Sequence, residues 1–166
     1  MSPIAPDESF ATSYRDLMAE TIAHEAETTC KVMEAIPEGD WRPDPQARTA
    51  RELAWHIVNS DQWFYHAIAT RNFAIPEAPR EFPATIDEII SLYTEGLAGA
   101  LELIRQMTPA QVLDEVDFFG SRLPVYRLLD IGLFHSIHHR GQLSTYLRPM
   151  GGKVPAIYGD SADTKA

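Results

Sequence analysis

The placement of proline is the strongest constraint on what this chain can fold into. Proline lacks a backbone N–H and clashes with the preceding helical turn, so helices begin and end around it. The segments 37–48 and 72–84 each contain three prolines, too many for a regular element. Outside these segments, apolar residues recur at three-to-four spacing, most weakly in the first stretch. The sequence therefore predicts four long helices, at about residues 10–36, 49–71, 85–107 and 124–148.

Two of the predicted helices have a recognisable start. Thr49 and Glu52 match a capping box, in which the hydroxyl and the carboxylate each accept a hydrogen bond from an otherwise unpaired backbone N–H. Thr85 and Glu88 repeat this pattern. Pro109 is typical of a first helical turn and predicts a separate short helical turn after the third helix.

Four long helices in 166 residues predict a single all-α domain over residues 1–166, a four-helix bundle. The length of segment 72–84 permits a crossover between the second and third helices. Apolar residues flank a Gly-Ser pair in segment 116–124, where a small hairpin and an extended loop are both open. The apolar tail at 154–158 is expected to pack on the bundle, and the chain is expected to fray from about Gly159.

The charge balance excludes some partners. The formal net charge is −10, from 24 acidic against 14 basic residues, which opposes a phosphate-binding surface, so nucleic acid is not expected as a partner. No apolar run approaches the roughly 20 residues that cross a bilayer, and no signal-peptide pattern is present. The single cysteine, Cys30, cannot form an intramolecular disulfide and is expected to be a buried filler. We expect a cytoplasmic protein that does not associate with membranes.

Three of the six histidines lie within residues 133–143, on the fourth predicted helix. His135 and His139 are four residues apart, so they project from one face and can share an ion. His135 with His138 is a second geometric option, although the apolar stripe of this helix favours His139. The alternative to a metal site is a pair of helix histidines with ordinary hydrogen bonds.

A catalytic metal centre usually takes three protein ligands and leaves one position open. The candidate for the third ligand is His56, which lies beside Leu53 and Ile57 on the apolar face of the second helix. His24 and His66 have no partner at ligand spacing, so we expect them to be solvated or satisfied in the core.

Other residues around the histidine pair have weaker claims to a role. Gln142 can hydrogen-bond a ligand or a bound water, although a helix glutamine is usually solvated. Gly141 is expected to allow close approach of another backbone. Arg140 either pairs with a carboxylate on a neighbouring helix or is solvated. Asp130 and Glu52 are the nearest acidic residues in sequence, and either can orient an imidazole.

The run HSIHHRGQ at residues 135–142, with LAWHI at 53–57, resembles the DinB family of DNA-damage-inducible, DinB/YfiT-like proteins. The resemblance extends over nearly the whole chain. It implies an up-down-down-up four-helix bundle, a homodimer, and a divalent metal, zinc or nickel, held by three histidines. The matching positions are His56, His135 and His139.

The resemblance and the histidines lead to two functional hypotheses. The first is an enzyme that activates a water or a low-molecular-weight thiol for a small-molecule substrate, as a thiol S-transferase or hydrolase. Family relatives of this kind include thiol-dependent transferases and the mycothiol-dependent maleylpyruvate isomerase. The second is a non-catalytic metal- or ligand-binding stress-response bundle, favoured because no general base lies at helical spacing from the histidine pair. No catalytic side chain is predicted.

Overall fold

The structure, a computed structural model, describes residues 6–77 and 80–165. Its elements in chain order are α1 (Glu8–Glu34), α2 (Ala50–Thr70), α3 (Ile86–Arg105), α4 (Pro109–Leu113), β1 (Glu115–Phe118), β2 (Ser121–Pro124) and α5 (Val125–Leu147). The four helices predicted from proline placement are confirmed as α1, α2, α3 and α5, and the short turn at Pro109 is α4. Across the described ranges, every helix is too short or too polar to span a bilayer.

Threonine caps position the starts of α2 and α3. At α2, the Glu52 N–H donates to the Thr49 hydroxyl at 3.1 Å, and the Glu52 carboxylate accepts from the Thr49 N–H at 2.7 Å. Thr85 and Glu88 make the same reciprocal pair at α3. Each pair satisfies N–H groups that the first helical turn leaves without partners. Both predicted capping boxes are confirmed.

The helices enclose one hydrophobic core, in which α2 packs against α3 and α5 and α1 packs against the same two helices. Gly132 of α5 allows a close approach to α2, because a Cβ at this position would lie 2.7 Å from the Phe64 ring and 2.9 Å from the Tyr65 ring. The expectation that Gly141 has this role is wrong, since a Cβ there would meet no described atom within 4 Å. Nine residues turn a helix by about 900°, so the two glycines lie on opposite faces.

Residues 115–124 correct the all-α prediction. β1 and β2 pair antiparallel with Val116 opposite Leu123. The turn residues Phe119 and Gly120 have φ values of 50° and 83°, as a two-residue turn of type I′ requires. The hairpin, one of the two alternatives for this segment, is therefore confirmed. Strands of four residues hold too little alternation to be distinguished from a loop by periodicity.

Arg140 joins α1, α5 and the C-terminal tail. Its side chain is 2% exposed, and its Nη1 donates to the Glu25 carboxylate at 2.5 Å and to the Glu25 carbonyl oxygen at 3.1 Å. Its Nη2 donates to the hydroxyl of Tyr158, which itself donates to the Glu25 carboxylate at 2.7 Å. Of the two alternatives for Arg140, pairing with a neighbouring carboxylate is correct.

Hydrogen bonds hold the end of the chain. Asp163 Oδ2 accepts from the Val154 N–H and from Arg148 Nε, both at 2.9 Å. The Ser161 hydroxyl donates to the Val154 carbonyl oxygen at 2.5 Å. This differs from the fraying expected from about Gly159. Short polar side chains close local turns through backbone hydrogen bonds, which apolar periodicity does not register.

The buried ion pair leads to a prediction about stability. Replacing Glu25 with Ala leaves the Arg140 charge buried without its carboxylate, which typically costs about 3 kcal/mol. We expect Glu25→Ala to lower the free energy of unfolding in urea by that amount. Glu27→Ala is the matched control on α1, because the Glu27 side chain is 73% exposed and should change the stability by less than about 0.5 kcal/mol. Equal effects of the two substitutions would contradict the prediction.

Candidate metal centre

The structure brings the three predicted histidines together at the contact between α2 and α5. His56 lies on the second turn of α2, and His135 and His139 lie one turn apart on α5. One ring nitrogen from each of the three lies within 4.8 Å of the others. The His56 and His139 Nε2 atoms are 3.2 Å apart. All three side chains are partly buried, so they form a cluster at the edge of the core.

This cluster fits a divalent metal ion. Imidazole nitrogens bind zinc at about 2.0–2.1 Å, which places two ligands of a tetrahedral site about 3.3 Å apart. The 3.2 Å separation of the His56 and His139 nitrogens is close to that spacing. Three imidazoles are a common donor set for zinc, nickel, copper and iron. The three-histidine group can therefore hold a metal ion.

The local environment keeps the three imidazoles neutral. Burial, followed by the positive charge of Arg48, lowers the pKa of His56 to about 4. Burial, followed by the neighbouring His139, lowers the pKa of His135 to about 4 as well. The pKa of His139 is also lowered, chiefly by burial, against the opposing effect of the hydrogen bond that its ring donates to Gln142. Since a metal binds the unprotonated ring, these pKa shifts leave the cluster ready for metal at neutral pH.

Hydrogen bonds at the second ring nitrogen orient two of the histidines. Gln142 Oε1 lies 2.7 Å from His139 Nδ1, so Nδ1 carries the proton and donates, and Nε2 carries the lone pair that can bind a metal. The Ser60 hydroxyl lies 3.4 Å from His56 Nδ1. Gln142 therefore contacts a histidine of the cluster, as one of its two sequence-based interpretations required. Ser60 lies one helical turn after His56 and was not among the site residues predicted from the sequence.

The other candidate residues lie outside the cluster. His138 is exposed, and its ring centroid is 4.9 Å from that of His139. Glu52 caps α2, and Asp130 accepts from the Tyr14 hydroxyl, so in the described structure neither carboxylate orients an imidazole. Cys30 is partly buried on α1, where burial raises the pKa of its thiol.

Of the remaining two histidines, His24 is exposed near Glu27. His66 is exposed near the C-terminal end of α2, where it lines a cleft that His56 also lines. Neither belongs to the cluster.

A buried hydrogen-bond network lies directly behind the cluster. Asp61 of α2 is 2% exposed and accepts from the Ser136 hydroxyl at 2.6 Å and from the Tyr93 hydroxyl at 2.7 Å. Ser136 is the residue after His135, so the network joins α2, α3 and α5 beside the histidines. It resists sliding of α2 along α5, which would separate His56 from its partners.

The sequence contains a feature that could have predicted the burial of Asp61. Leu53, Ile57, Phe64 and Ile68 form the core stripe of α2, and Asp61 occupies the stripe's middle position. A carboxylate on an apolar stripe is costly unless it is hydrogen-bonded, so an acidic interruption of this kind indicates a buried polar network.

A cleft of about 810 Å³ opens beside His56. One face of α2, residues of the segment between α2 and α3 and the tip of the hairpin form its walls. Its lining residues are Arg48, Glu52, Trp55, His56, Asn59, Ser60, Gln62, Trp63, His66, Ile75, Pro76, Arg80 and Phe119. His56 therefore links the histidine cluster to a cleft large enough for a small molecule.

A helical bundle with three histidines converging from two helices defines a class, the candidate metal-binding helical proteins. Comparison with known sequences then assigns the family. A profile of the DinB family matches residues 10–165, and this chain belongs to the DinB family. The family resemblance stated from the sequence is confirmed.

Two proteins of Bacillus subtilis are similar to this chain in sequence. The chain is 31% identical to the uncharacterized Bacillus subtilis protein YjoA over 115 residues, which cover 67% of this chain and 73% of YjoA. It is 26% identical to uncharacterized YrdA of the same organism over 146 residues, 84% of each chain.

Two crystal structures have the same fold. The DinB-like protein YjoA from Bacillus subtilis superposes with a TM-score of 0.73 at 24% identity, covering 87% of this chain and 99% of that one. A DinB-like protein from Bacillus cereus ATCC 10987 superposes with a TM-score of 0.72 at 24% identity. The match covers 85% of this chain and 95% of that one.

Asp61 leads to a prediction about pH. Burial raises the pKa of Asp61 from 3.8 to about 6 in the folded protein. A raised carboxyl pKa stabilises the folded state below the unfolded pKa, and this contribution is lost as the pH rises through the folded pKa. We expect the difference in unfolding free energy between wild type and Asp61→Asn to fall by up to about 3 kcal/mol between pH 4 and pH 7. Urea titrations across this range measure it, and a difference that rises with pH would refute the assignment.

Proposed function

We propose that this protein is a metal-dependent enzyme that holds zinc or nickel on His56, His135 and His139. It activates a water or a low-molecular-weight thiol and acts as a thiol transferase or hydrolase on a small molecule. The observation that carries this proposal is the convergence of three imidazole nitrogens within 4.8 Å at the side of an open cleft. Membership of the DinB family agrees with it.

The protein's own residues have distinct tasks in this mechanism. A divalent ion on three neutral imidazoles supplies Lewis acidity, which makes a water or a thiol more acidic. Gln142 holds the His139 ring so that Nε2 points away from the hydrogen-bonded side. The Asp61–Ser136 hydrogen bond holds α2 in register with α5, and thus His56 with His135. The cleft admits the substrate beside His56.

We further infer that the four long helices run up-down-down-up with a crossover at residues 72–84. Arg51 contacts the Ala84 carbonyl and Asp61 contacts Tyr93, an order that suits parallel α2 and α3. Asp61 bonds Ser136, whereas His56 lies beside His139, an order that suits antiparallel α2 and α5. This topology places the cluster between two helices that are distant in sequence.

One observation favours a second function, a metal- or ligand-binding protein without turnover. Among the hydrogen bonds of the described residues, the partners of the three rings other than one another are Ser60 and Gln142, and neither is a carboxylate. An enzyme of this kind needs a proton acceptor, and the cluster itself supplies none other than its own imidazoles.

The homodimer and the cytoplasmic location implied for this chain remain predictions. Light scattering coupled to size-exclusion chromatography measures the molar mass in solution. A mass of twice 18.6 kDa is the expected result.

Metal content tests the site. Protein purified without a histidine tag and loaded with zinc should hold one ion per chain by mass spectrometry. His56→Ala and His139→Ala should each bind at least about tenfold more weakly, because two imidazoles remain. His138→Ala is the matched control, since His138 neighbours His139 on α5 but lies outside the cluster. Stoichiometric metal in both ligand variants would refute the assignment.

Turnover tests the enzyme proposal. Metal-loaded protein is mixed with glutathione, bacillithiol or mycothiol and an electrophilic acceptor, and the remaining thiol is measured over time. We expect consumption that depends on the metal and is lost in His56→Ala. Absence of consumption with all three thiols, in protein that holds stoichiometric metal, would favour the binding function.

A further inference from the structure

The cleft beside His56 follows α2 along much of its length. Glu52, Trp55, His56, Asn59 and Trp63 succeed one another at helical spacing, so one face of α2 forms a continuous wall. Trp55 and Trp63 are eight residues apart, a rise of about 12 Å. The volume of about 810 Å³ lies in the range of small-molecule sites. The cleft therefore suits an elongated ligand.

The far end of the cleft is aromatic. Trp63 is held in place by its indole N–H, which donates to the Ala74 carbonyl oxygen at 3.0 Å. The ring centroid of Phe119, at the tip of the hairpin, lies 6.4 Å from that of Trp63. These two rings form an apolar contact surface at the end of the cleft away from His56.

Phe119 occupies an energetically unfavourable position. Its φ of 50° is one that bulky side chains rarely adopt, and its side chain remains 66% exposed. Asparagine would suit the turn better, because Asn-Gly is a preferred type I′ pair. Neither turn geometry nor core packing therefore explains a phenylalanine here. Contact with a ligand in the cleft explains it.

The wall of the cleft also carries positive charge. The Arg80 guanidinium lies 5.0 Å from the Trp55 ring centroid, and its Nη1 donates to Asn59 at 3.3 Å and to Gln62. Arg80 is thus oriented before any ligand binds, which lowers the entropy lost on binding. Arg48 lines the same cleft. Within the described residues, neither arginine has a carboxylate within ion-pair distance.

The single carboxylate of the cleft wall is already engaged. Glu52 accepts from the Thr49 N–H at 2.7 Å and lies 3.7 Å from Arg42. It is therefore committed to the start of α2. Two arginines against one engaged carboxylate make the cleft locally cationic in a protein whose net charge is −10.

We propose that this cleft binds an elongated carboxylate with an apolar, preferably aromatic, tail. The carboxylate lies at the arginines of the cleft wall, Arg80 and Arg48, and the tail lies against Trp63 and Phe119. As the substrate site of the enzyme, the cleft rests on the proposed function, because His56 belongs to both. A guanidinium fork matches a carboxylate in shape and charge, which gives the cleft a preference for acids over neutral analogues.

Calorimetry with a matched pair of probes tests the proposal. Phenylhexanoate and phenylhexanamide have the same length and tail and differ in charge. We expect metal-loaded protein to bind the acid at least about tenfold more tightly than the amide. Arg80→Gln should remove most of this preference. Arg127→Gln, which alters an exposed α5 arginine paired with Asp130, should leave the preference unchanged.

Phe119→Asn separates a binding role from a structural one. The substitution relieves the backbone at positive φ, so the melting temperature should stay the same or rise. The loss of the aromatic contact should weaken both acid and amide by about threefold to tenfold. Unchanged affinity for both compounds would show that Phe119 does not contact the ligand and would overturn the assigned tail position.

The same measurements distinguish this proposal from the metal function. In His139→Ala, which lacks a full ligand set, the preference for acid should persist because the arginines supply it. A preference that disappears in His139→Ala but survives in Arg80→Gln would show that the metal recognises the anion and would overturn the proposal. Acid binding weaker than about 1 mM, or equal to that of the amide, in protein with stoichiometric metal would also overturn it and leave the metal site standing.

Discussion

The close packing of α2 against α5 is the contact on which the candidate site depends. Gly132 lets the Phe64 and Tyr65 rings approach the α5 backbone, and the buried Asp61–Ser136 hydrogen bond sets the register of the two helices. A shift of one turn would move a side chain by about 5.4 Å, more than the span of the three imidazole nitrogens. The position of His56 relative to the α5 histidines is therefore a consequence of core packing.

The site combines two electrostatic environments. Burial keeps the histidine rings neutral, which suits metal binding, while the adjoining cleft places guanidinium groups where an anion would enter. Although the protein has a net charge of −10, the cationic cleft attracts anionic ligands at short range. This division separates the proposed chemistry at the histidines from the proposed recognition along α2.

Much of the architecture could be predicted because its determinants are local. Prolines bound the helices, Thr49 and Thr85 start two of them through reciprocal hydrogen bonds, and the four-residue spacing of His135 and His139 requires only one helix. Prediction failed where the determinant was a contact between distant segments or a short polar turn. The close approach expected at Gly141 occurs at Gly132, because spacing along one helix does not say which face meets a neighbour. The tail after Gly159 is likewise held by individual hydrogen bonds, and the hairpin stayed one of two alternatives because its four-residue strands carry too little periodicity.

The sequence by itself determined the helices, the pairing of two histidines on one helix, and the family, since periodicity, capping and motif are properties of neighbouring residues. Only the tertiary structure decided that His56 meets that pair and that Arg80 and Phe119 border one cleft with His56. The physical reason is that these contacts join segments far apart in sequence. Their distances depend on how the side chains between α2, α3 and α5 fill the core.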